Sequence, residues 1–398
     1  MARIRIPWHL LRRVTSSGAY VPEVDGLRFL AVMTVTVFHV GLMTQNYTQV
    51  YSYSGPDNPV LRVLYNMLFA GAKGVPLFFF ISGFILGAPF ASHYLQDGRP
   101  VGMKSYFLRR ITRIEPPYVV ANLFAFFHRV FVMRIPFLTV LPHLLVGLVY
   151  LHWLVYLEKP LVVGVGWSLE VEAQFYTLAP LLAFLIFRKN PTLRRSIFAL
   201  LMIALPSLAL FLWFRTPINH FLLKGTLLLN GVYFLAGFIF VDISFNVLPK
   251  LKNSWIWDPI ALVAFVATFA YSSHWYDLFC LPIFFILIGI AAFKGVWFNR
   301  LMQWRPVTTI GGMCYSIYLS HPIVIQILYA LYVRVFHMKG FAKQLIFAEI
   351  FILPGLFCAG AIFFILVERP CMDKRWPAKL AAYIKSRLEP AEKVTVPG

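Results

Sequence analysis

Long apolar segments alternate with short charged stretches along almost the whole chain. About 20 consecutive, mostly apolar residues are needed for a helix to cross a lipid bilayer. Ten such segments are found, at 27–45, 66–90, 116–134, 169–187, 197–214, 221–241, 256–272, 278–293, 308–332 and 345–367. The pattern predicts an all-α, polytopic integral membrane protein with about ten transmembrane helices.

The apolar stretch 136–166 does not fit this pattern, because Pro136, Pro142 and Pro160 interrupt it. A further span here would reverse the direction of every later helix and put the basic residues of 188–195 on the outer side. We therefore interpret 140–156 as a re-entrant or interfacial helix, which is tolerated where it lines a protein cavity.

The predicted spans divide the chain into three regions. Residues 1–22 are expected to form a basic, partly amphipathic cytoplasmic leader on the membrane surface, and 23–372 the transmembrane domain. Residues 373–398 are expected to form a polar, poorly ordered cytoplasmic tail, and 46–65 a Tyr-rich outer loop. The sequence contains no recognisable internal repeat and no segment typical of an added soluble domain.

Composition and charge support a membrane location and indicate the orientation of the chain. The chain is 60% hydrophobic and 13% charged, which excludes an ordinary soluble protein. Its net charge of +20 does not indicate a nucleic-acid partner, because the basic residues flank the apolar segments. With the N-terminus inside, 25 Lys and Arg fall in cytoplasmic segments and 7 in outer ones. The positive-inside rule then predicts two cytoplasmic termini and a multi-pass protein of the plasma (inner) membrane.

Cysteine usage points to packing. The four cysteines have no CxxC or metal-ligand spacing, so we expect neither disulfides nor a metal site.

The first span carries two ionisable residues, Arg28 and His39. Their separation of 11 residues corresponds to about 1100° on a helix, about 20° past three turns, so both project from one face. Ionisable groups within a span are costly and are functional candidates by default. The alternative is an Arg that extends to the membrane surface and a His that is hydrogen-bonded in the core.

Two further segments carry charged groups. Arg109, Arg110 and Arg113 lie together before the third span, where they could bind phosphates or simply anchor the helix on the positive side. Glu170 and Glu172, at the start of the fourth span, are separated by about 200° around a helix. One of them can therefore cap the helix, while the other can form a polar pocket with Gln174 and Tyr176.

The remaining polar features have structural explanations. Ser82, Gly83 and Gly87 suit close helix packing, and His321 in the ninth span suits a hydrogen-bonded core residue. Glu368-Arg369-Pro370 suits an ion pair at a helix end.

The order of these segments resembles the membrane-bound acyltransferase-3 family. The resemblance covers residues 22–372 and rests on VDGLRFLAVMTVTVFH, GVPLFFFISGFIL, RRITRIEPPY, WSLEVEAQFY, YSIYLSHP and the terminal ERP. It implies transfer of acyl groups, typically acetyl, from coenzyme A to hydroxyls of sugars, polysaccharides or antibiotics.

The resemblance implies roles for matching residues. His39 and Glu172 are predicted to be catalytic, and Arg28, Arg109, Arg110 and Arg113 to bind the donor. The acceptor or the pocket wall is assigned to Trp167, Ser168, Glu170, Tyr176, Tyr315 and His321. His39 would act either as a general base on the acceptor hydroxyl or as a nucleophile that carries the acyl group.

The chain departs from the family pattern in three ways. Ala173 stands where relatives often have a second Glu, and Pro76 where an acidic residue is common. The extracytoplasmic esterase-like domain of some relatives has no counterpart here. We therefore expect direct transfer to the acceptor or a separate extracytoplasmic transferase as partner.

The expected partners are membrane lipid, acyl-CoA (acetyl-CoA) as donor substrate and a carbohydrate acceptor, with no permanently bound cofactor. A proton-coupled transporter or exporter is the alternative, because buried His, Arg and Glu also suit a carrier. A receptor or scaffold would leave the shared face of Arg28 and His39 unexplained.

Overall fold

The computed structural model describes residues 8–13, 20–50, 59–217, 219–373 and 375–388. Within these ranges the regular secondary structure is entirely helical, as the apolar pattern predicts. The first half contains α1 (Trp8–Leu11), α2 (Pro22–Thr48), α3 (Pro59–Phe69), α4 (Gly74–Gln96), α5 (Met103–Phe127), α6 (Phe137–Leu148), α7 (His152–Tyr156), α8 (Gly166–Ile186) and α9 (Pro191–Arg215). The second half contains α10 (His220–Lys224), α11 (Leu227–Asn246), α12 (Trp257–Ala270), α13 (His274–Lys294), α14 (Trp297–Gln303), α15 (Arg305–Gly312), α16 (Cys314–Val335), α17 (Phe341–Phe363), α18 (Arg369–Cys371) and α19 (Trp376–Leu388).

Short non-α turns join some of these helices. 3₁₀ turns cover Gly71–Lys73 and Leu248–Lys250, and π-helical turns cover His128–Val132 and Phe364–Glu368.

The described residues include 8 helical segments long and apolar enough to cross a membrane. They are Pro22–Thr48, Gly71–Gln96, Gly166–Ile186, Pro191–Arg215, His220–Asn246, His274–Lys294, Cys314–Val335 and Phe341–Cys371. Each corresponds to one predicted span, and the protein is therefore an integral, multi-pass membrane protein.

The other two predicted spans are helices of a different kind. The segment 116–134 is the second half of α5 with its π-helical turn, and 103–115 of the same helix precede the predicted span and carry its arginines. The segment 256–272 contains α12, which is apolar but only 14 residues long.

Four segments differ from the sequence-based expectations. The stretch 140–156 forms two short helices, α6 and α7, in place of one. The segment 308–332 is divided into α15 and α16 near Gly311, whose Cα lies against the backbone of Asp25. Part of the tail is ordered, since α19 occupies 376–388 and the Trp376 indole donates a hydrogen bond of 2.8 Å to the Thr112 carbonyl. In the outer loop, α2 extends to Thr48 and α3 begins at Pro59, and the intervening 51–58 lie outside the described residues.

The leader also differs from its prediction. Leu11 of α1 packs against the buried cluster that includes Met313, Phe364 and Met372, so this part of the leader lies against the helix bundle. Residues 1–7 and 14–19 lie outside the described ranges.

Helices α4 and α11 cross at the centre of the bundle. A Cβ atom on Gly83 would lie 2.2 Å from the Phe234 carbonyl oxygen, and one on Gly237 would lie 2.3 Å from that of Phe80. The two backbones thus approach through glycine, which confirms the packing role predicted for Gly83. Phe234 also stacks on Phe79 at 4.7 Å.

Candidate active site

A cavity of about 860 Å³ lies between α2, α4, α5, α8 and α16. Arg99, Gly102, Ser105 and Arg109 line its mouth and are exposed. Phe78, Ser168 and Tyr318 line its inner end. Such a volume accommodates a large, elongated small molecule.

The cavity reaches deep into the bundle along α4. Ser82 lines it and stands 14 residues before Gln96, the last residue of α4, which corresponds to about 21 Å of helix. The hydrocarbon core of a bilayer is about 30 Å thick. The cavity therefore connects the Arg-rich end of the bundle with its interior.

Guanidinium groups outnumber carboxylates on the cavity wall. The guanidinium groups belong to Arg13, Arg28, Arg99, Arg109, Arg110 and Arg113. The carboxylates on the wall are those of Glu172 and Glu368. This excess of positive charge in a confined, partly apolar space favours an anionic ligand.

Arg28 is held in the bundle by a carboxylate. Its Nη1 donates to Oδ1 of Asp25 at 2.6 Å, and Asp25 is only 2% exposed. An Arg that merely extended to the membrane surface would not need a buried partner, so this geometry favours a fixed guanidinium at the cavity wall.

The arginines of α5 occupy different environments. Arg109 is exposed and bonds to Ser105, whereas Arg110 stacks on the ring of Tyr106 at 3.5 Å. The Nε of Arg110 is buried and has no hydrogen-bond partner among the described residues. Arg110 thus has a donor available for a ligand, and stacking fixes its plane.

Glu172 and Ser82 form the main polar contact in the deep part of the cavity. The Ser82 hydroxyl donates to Oε1 of Glu172 at 2.5 Å, and both residues line the cavity together with Tyr176. Gln174 turns away and bonds to the backbone of Gly225 and Leu227. Of the pocket predicted around Glu172, Tyr176 is therefore present and Gln174 is not.

Glu170 faces away from the cavity, as its angular separation from Glu172 requires. Its Oε2 accepts a 2.8 Å hydrogen bond from the backbone N–H of Trp153 at the start of α7. Trp167 packs against Phe79 and Trp153 and is also absent from the cavity wall. The expectation that Glu170 and Trp167 line the pocket is not met, because both hold α7 against α8.

His39 lies beside His321, just beyond the inner end of the cavity. The two rings meet edge to face at 4.6 Å, and neither lines the cavity. Each Nδ1 bonds to a carbonyl oxygen, Val35 for His39 and Tyr318 for His321. A carbonyl only accepts, so Nδ1 carries the proton in both rings and each Nε2 keeps a lone pair in the neutral form.

Tyr318 connects the inner end of the cavity with the imidazole pair. It lines the cavity, and its ring centre lies 5.5 Å from that of His321. Its hydroxyl bonds to Ser168 at 2.7 Å and to the Val165 carbonyl at 3.3 Å. A hydroxyl pair on α8 and α16 thus lies at the inner end of the cavity.

Several wall residues were not predicted from the sequence. They are Arg13, Ser82, Arg99, Tyr106, Tyr318 and Glu368. Glu368 accepts from the Ser316 hydroxyl at 2.5 Å and from its N–H at 3.0 Å, so it binds the first turn of α16 rather than only the neighbouring Arg369. Tyr315, which was predicted, lines the wall and bonds to the Ile114 carbonyl. Tyr318 could have been found, because it stands three residues before His321.

The cysteines and other metal-ligand types do not cluster. All four cysteines are free thiols. Within the described ranges, no group of three or more His, Cys, Asp or Glu residues is arranged to hold a metal ion.

Comparisons with known proteins agree on a family. A family model described as an acyltransferase domain matches residues 21–369. The chain is 24% identical over 342 residues to the peptidoglycan O-acetyltransferase OatA of Listeria monocytogenes, covering 79% of this chain and 51% of that protein. It is 24% identical over 341 residues to the putative peptidoglycan O-acetyltransferase YrhL of Bacillus subtilis, covering 78% and 50%.

A putative O-acetyltransferase of Staphylococcus aureus is 22% identical over 343 residues, covering 79% of this chain and 52% of that protein. The chain thus spans about half the length of the curated relatives it matches. No solved structure matches it.

Proposed function

Because the chain belongs to the acyltransferase-3 family, we propose that this membrane acyltransferase moves an acetyl group from acetyl-CoA to a hydroxyl of a carbohydrate. The observation that carries the proposal is the Arg-lined cavity that ends beside His39 and His321. Coenzyme A is an elongated polyanion with a thiol at one end. Its phosphates suit the guanidinium groups at the mouth, and its pantetheine arm suits the deeper part of the cavity, which Phe78, Phe79 and Tyr318 line.

The donor is held at several points along the cavity. Arg109, Arg110 and Arg113 bind phosphate groups near the mouth, and Arg28 binds further in, where Asp25 fixes its guanidinium. Glu172 and Ser82 offer hydrogen bonds along the path of the arm. The thioester then reaches Tyr318 and the imidazole pair beyond it.

His39 performs the proton transfer. The Val35 carbonyl oxygen accepts a hydrogen bond from Nδ1–H, so Nε2 is free to take the proton from the hydroxyl of the carbohydrate. The hydroxyl oxygen attacks the thioester carbonyl, the C–S bond breaks, and the proton passes from Nε2 to the leaving thiolate. The same free Nε2 permits the other route, in which His39 attacks the thioester and carries the acyl group before passing it to the hydroxyl. The His39 ring contacts Val35, Phe38 and His321, so its orientation comes from α2 and α16 and not from Glu172.

The acceptor is an extracytoplasmic polysaccharide or glycolipid in this proposal. Two relatives are named as established or putative peptidoglycan O-acetyltransferases, which supports a cell-surface glycan. A separate transferase is proposed to complete the reaction where direct transfer does not.

The test uses the purified protein with radiolabelled acetyl-CoA and a panel of glycan acceptors. We expect label on a glycan, or slow hydrolysis of acetyl-CoA when no acceptor is present, and loss of both in a His39→Ala variant. A carrier, the alternative drawn from the sequence, would transport label without cleaving the thioester. The absence of both transfer and hydrolysis by the folded protein would refute the proposal.

A further inference from the structure

Arg13 belongs to the leader, yet its side chain lies in the cavity wall. It precedes residue 21, where the match to the family begins. It lies beside Gly312, since a Cβ atom on Gly312 would be in ordinary van der Waals contact with that of Arg13, at 3.6 Å. The packing of Leu11 against the core holds this part of the chain under the bundle.

The charge of Arg13 is only partly compensated. Its nearest carboxylate oxygen, Oδ1 of Asp25, is 3.5 Å from Nη1, and the same oxygen accepts a 2.6 Å bond from Arg28. The Nε of Arg13 is buried and has no hydrogen-bond partner among the described residues. A buried N–H without a partner is energetically unfavourable, so this site favours an added acceptor.

A second cation, Arg113, makes the binding of an anion more favourable. Arg113 lines the same cavity, and burial together with the positive charge of Arg13 lowers the pKa of Arg113. Arg side chains stay protonated in proteins, so this repulsion persists until an anion enters. The carboxylate of Glu368 on the same wall raises the pKa of Arg113 and so offsets part of the repulsion.

We propose that Arg13 is a donor-binding residue whose guanidinium pairs with a phosphate group of coenzyme A, so that the leader forms part of the donor site. The inference rests on the proposed function, because that function supplies the phosphate. A phospholipid headgroup offers the same chemistry, and the experiment separates the two sources.

The experiment compares Arg13→Gln with Arg12→Gln in full-length protein in phosphatidylcholine nanodiscs. Arg12 is a matched control, because it is exposed, stacks on Tyr20 at 4.7 Å and does not line the cavity. Calorimetry should show a Kd for CoA raised about 10- to 100-fold by Arg13→Gln and unchanged by Arg12→Gln. Arg13→Lys should fall between, since it keeps the charge and loses the planar fork.

A second readout separates phosphate binding from a structural role. For acetyl-CoA, kcat/KM should fall by the same factor as the affinity, whereas acetyl-pantetheine, which has no phosphate, should be used equally by wild type and Arg13→Gln. Equal losses with both donors would mean that Arg13 only supports the fold. A CoA affinity unchanged by Arg13→Gln would also overturn the inference.

A separate set of measurements tests whether the phosphate comes from a phospholipid headgroup. The measurements are repeated in nanodiscs that contain phosphatidylglycerol, and the effect of Arg13→Gln should be the same in both lipids. An effect that appears only with phosphatidylglycerol would assign Arg13 to a lipid headgroup. Failure of the wild type to bind CoA at all would instead refute the proposed function.

Discussion

At the residue scale, the backbone decides which nitrogen of His39 can react. The Val35 carbonyl, one turn earlier in α2, accepts from Nδ1 at 2.8 Å and leaves Nε2 as the acceptor. Many enzymes use a carboxylate for this purpose, but here no charged group is needed to select the tautomer. Burial of an uncharged pair, His39 with His321, is also cheaper in a membrane than burial of an ion pair.

His39→Ala should lower acetyl transfer by at least about 10²- to 10⁴-fold, because the general base or acyl carrier is lost. The readout is transfer from labelled acetyl-CoA at equal protein abundance. His220→Ala is the control, since His220 is exposed and bonds to the Trp213 carbonyl away from the cavity. Activity close to wild type in His39→Ala would remove this residue from the mechanism.

Glu170 and Glu172 offer a second test, because they stand two residues apart and bond to different partners. Glu170→Ala should destabilise the protein by about 1–3 kcal/mol, since it leaves a buried N–H of Trp153 without an acceptor. Glu172→Gln should keep its hydrogen bond with Ser82 and the melting temperature, yet lower activity. Thermal melting and acetyl transfer, measured on both variants, separate stability from function. The reverse pattern, an inactive but stable Glu170→Ala, would contradict these assignments.

At the scale of elements, the sequence predicts the helices better than their contacts. Long apolar stretches fix eight spans, because hydrophobic length alone decides whether a helix can cross a bilayer. Hydrophobic length does not describe two other predicted spans. Helix α12 is only 14 residues long, and the charged first half of α5 lines the cavity. Hydropathy also cannot reveal that α19 docks through Trp376, since that depends on one indole and one carbonyl.

The crossing of α4 and α11 can be tested with two glycines on one helix. Gly237→Ala should destabilise the protein by about 1–3 kcal/mol, because its Cβ would meet the backbone of Phe80. Gly231→Ala has open space, with only the Leu227 side chain at 4.0 Å, and should leave the melting temperature unchanged or raise it. Thermal melting of both variants in the same detergent is the measurement. Equal melting temperatures would show that the crossing tolerates separation.

At the scale of the whole molecule, the cavity joins residues that are distant in the chain. The spacing of Arg28 and His39 could be worked out from the sequence, because both lie on one helix. Arg13, Arg99 and Glu368 could not be placed, since they come from the leader, a loop and the last span and meet only after the bundle forms. A family resemblance helps least with Arg13, which precedes the matched region.

The cavity mouth lies on the predicted cytoplasmic face, so the donor should enter from one side of the membrane only. The positive-inside rule assigns the segment 91–115 to the cytoplasm, and its exposed residues Arg99 and Arg109 line the mouth. In proteoliposomes sorted by orientation, acetyl-CoA supplied on the face that carries both termini should be consumed. Acetyl-CoA supplied only on the other face should not be consumed, because the guanidinium groups at the cavity mouth lie on the Arg-rich side. Consumption from the outer face alone would reverse the orientation, and equal consumption from both faces would mean that the donor also enters by another path.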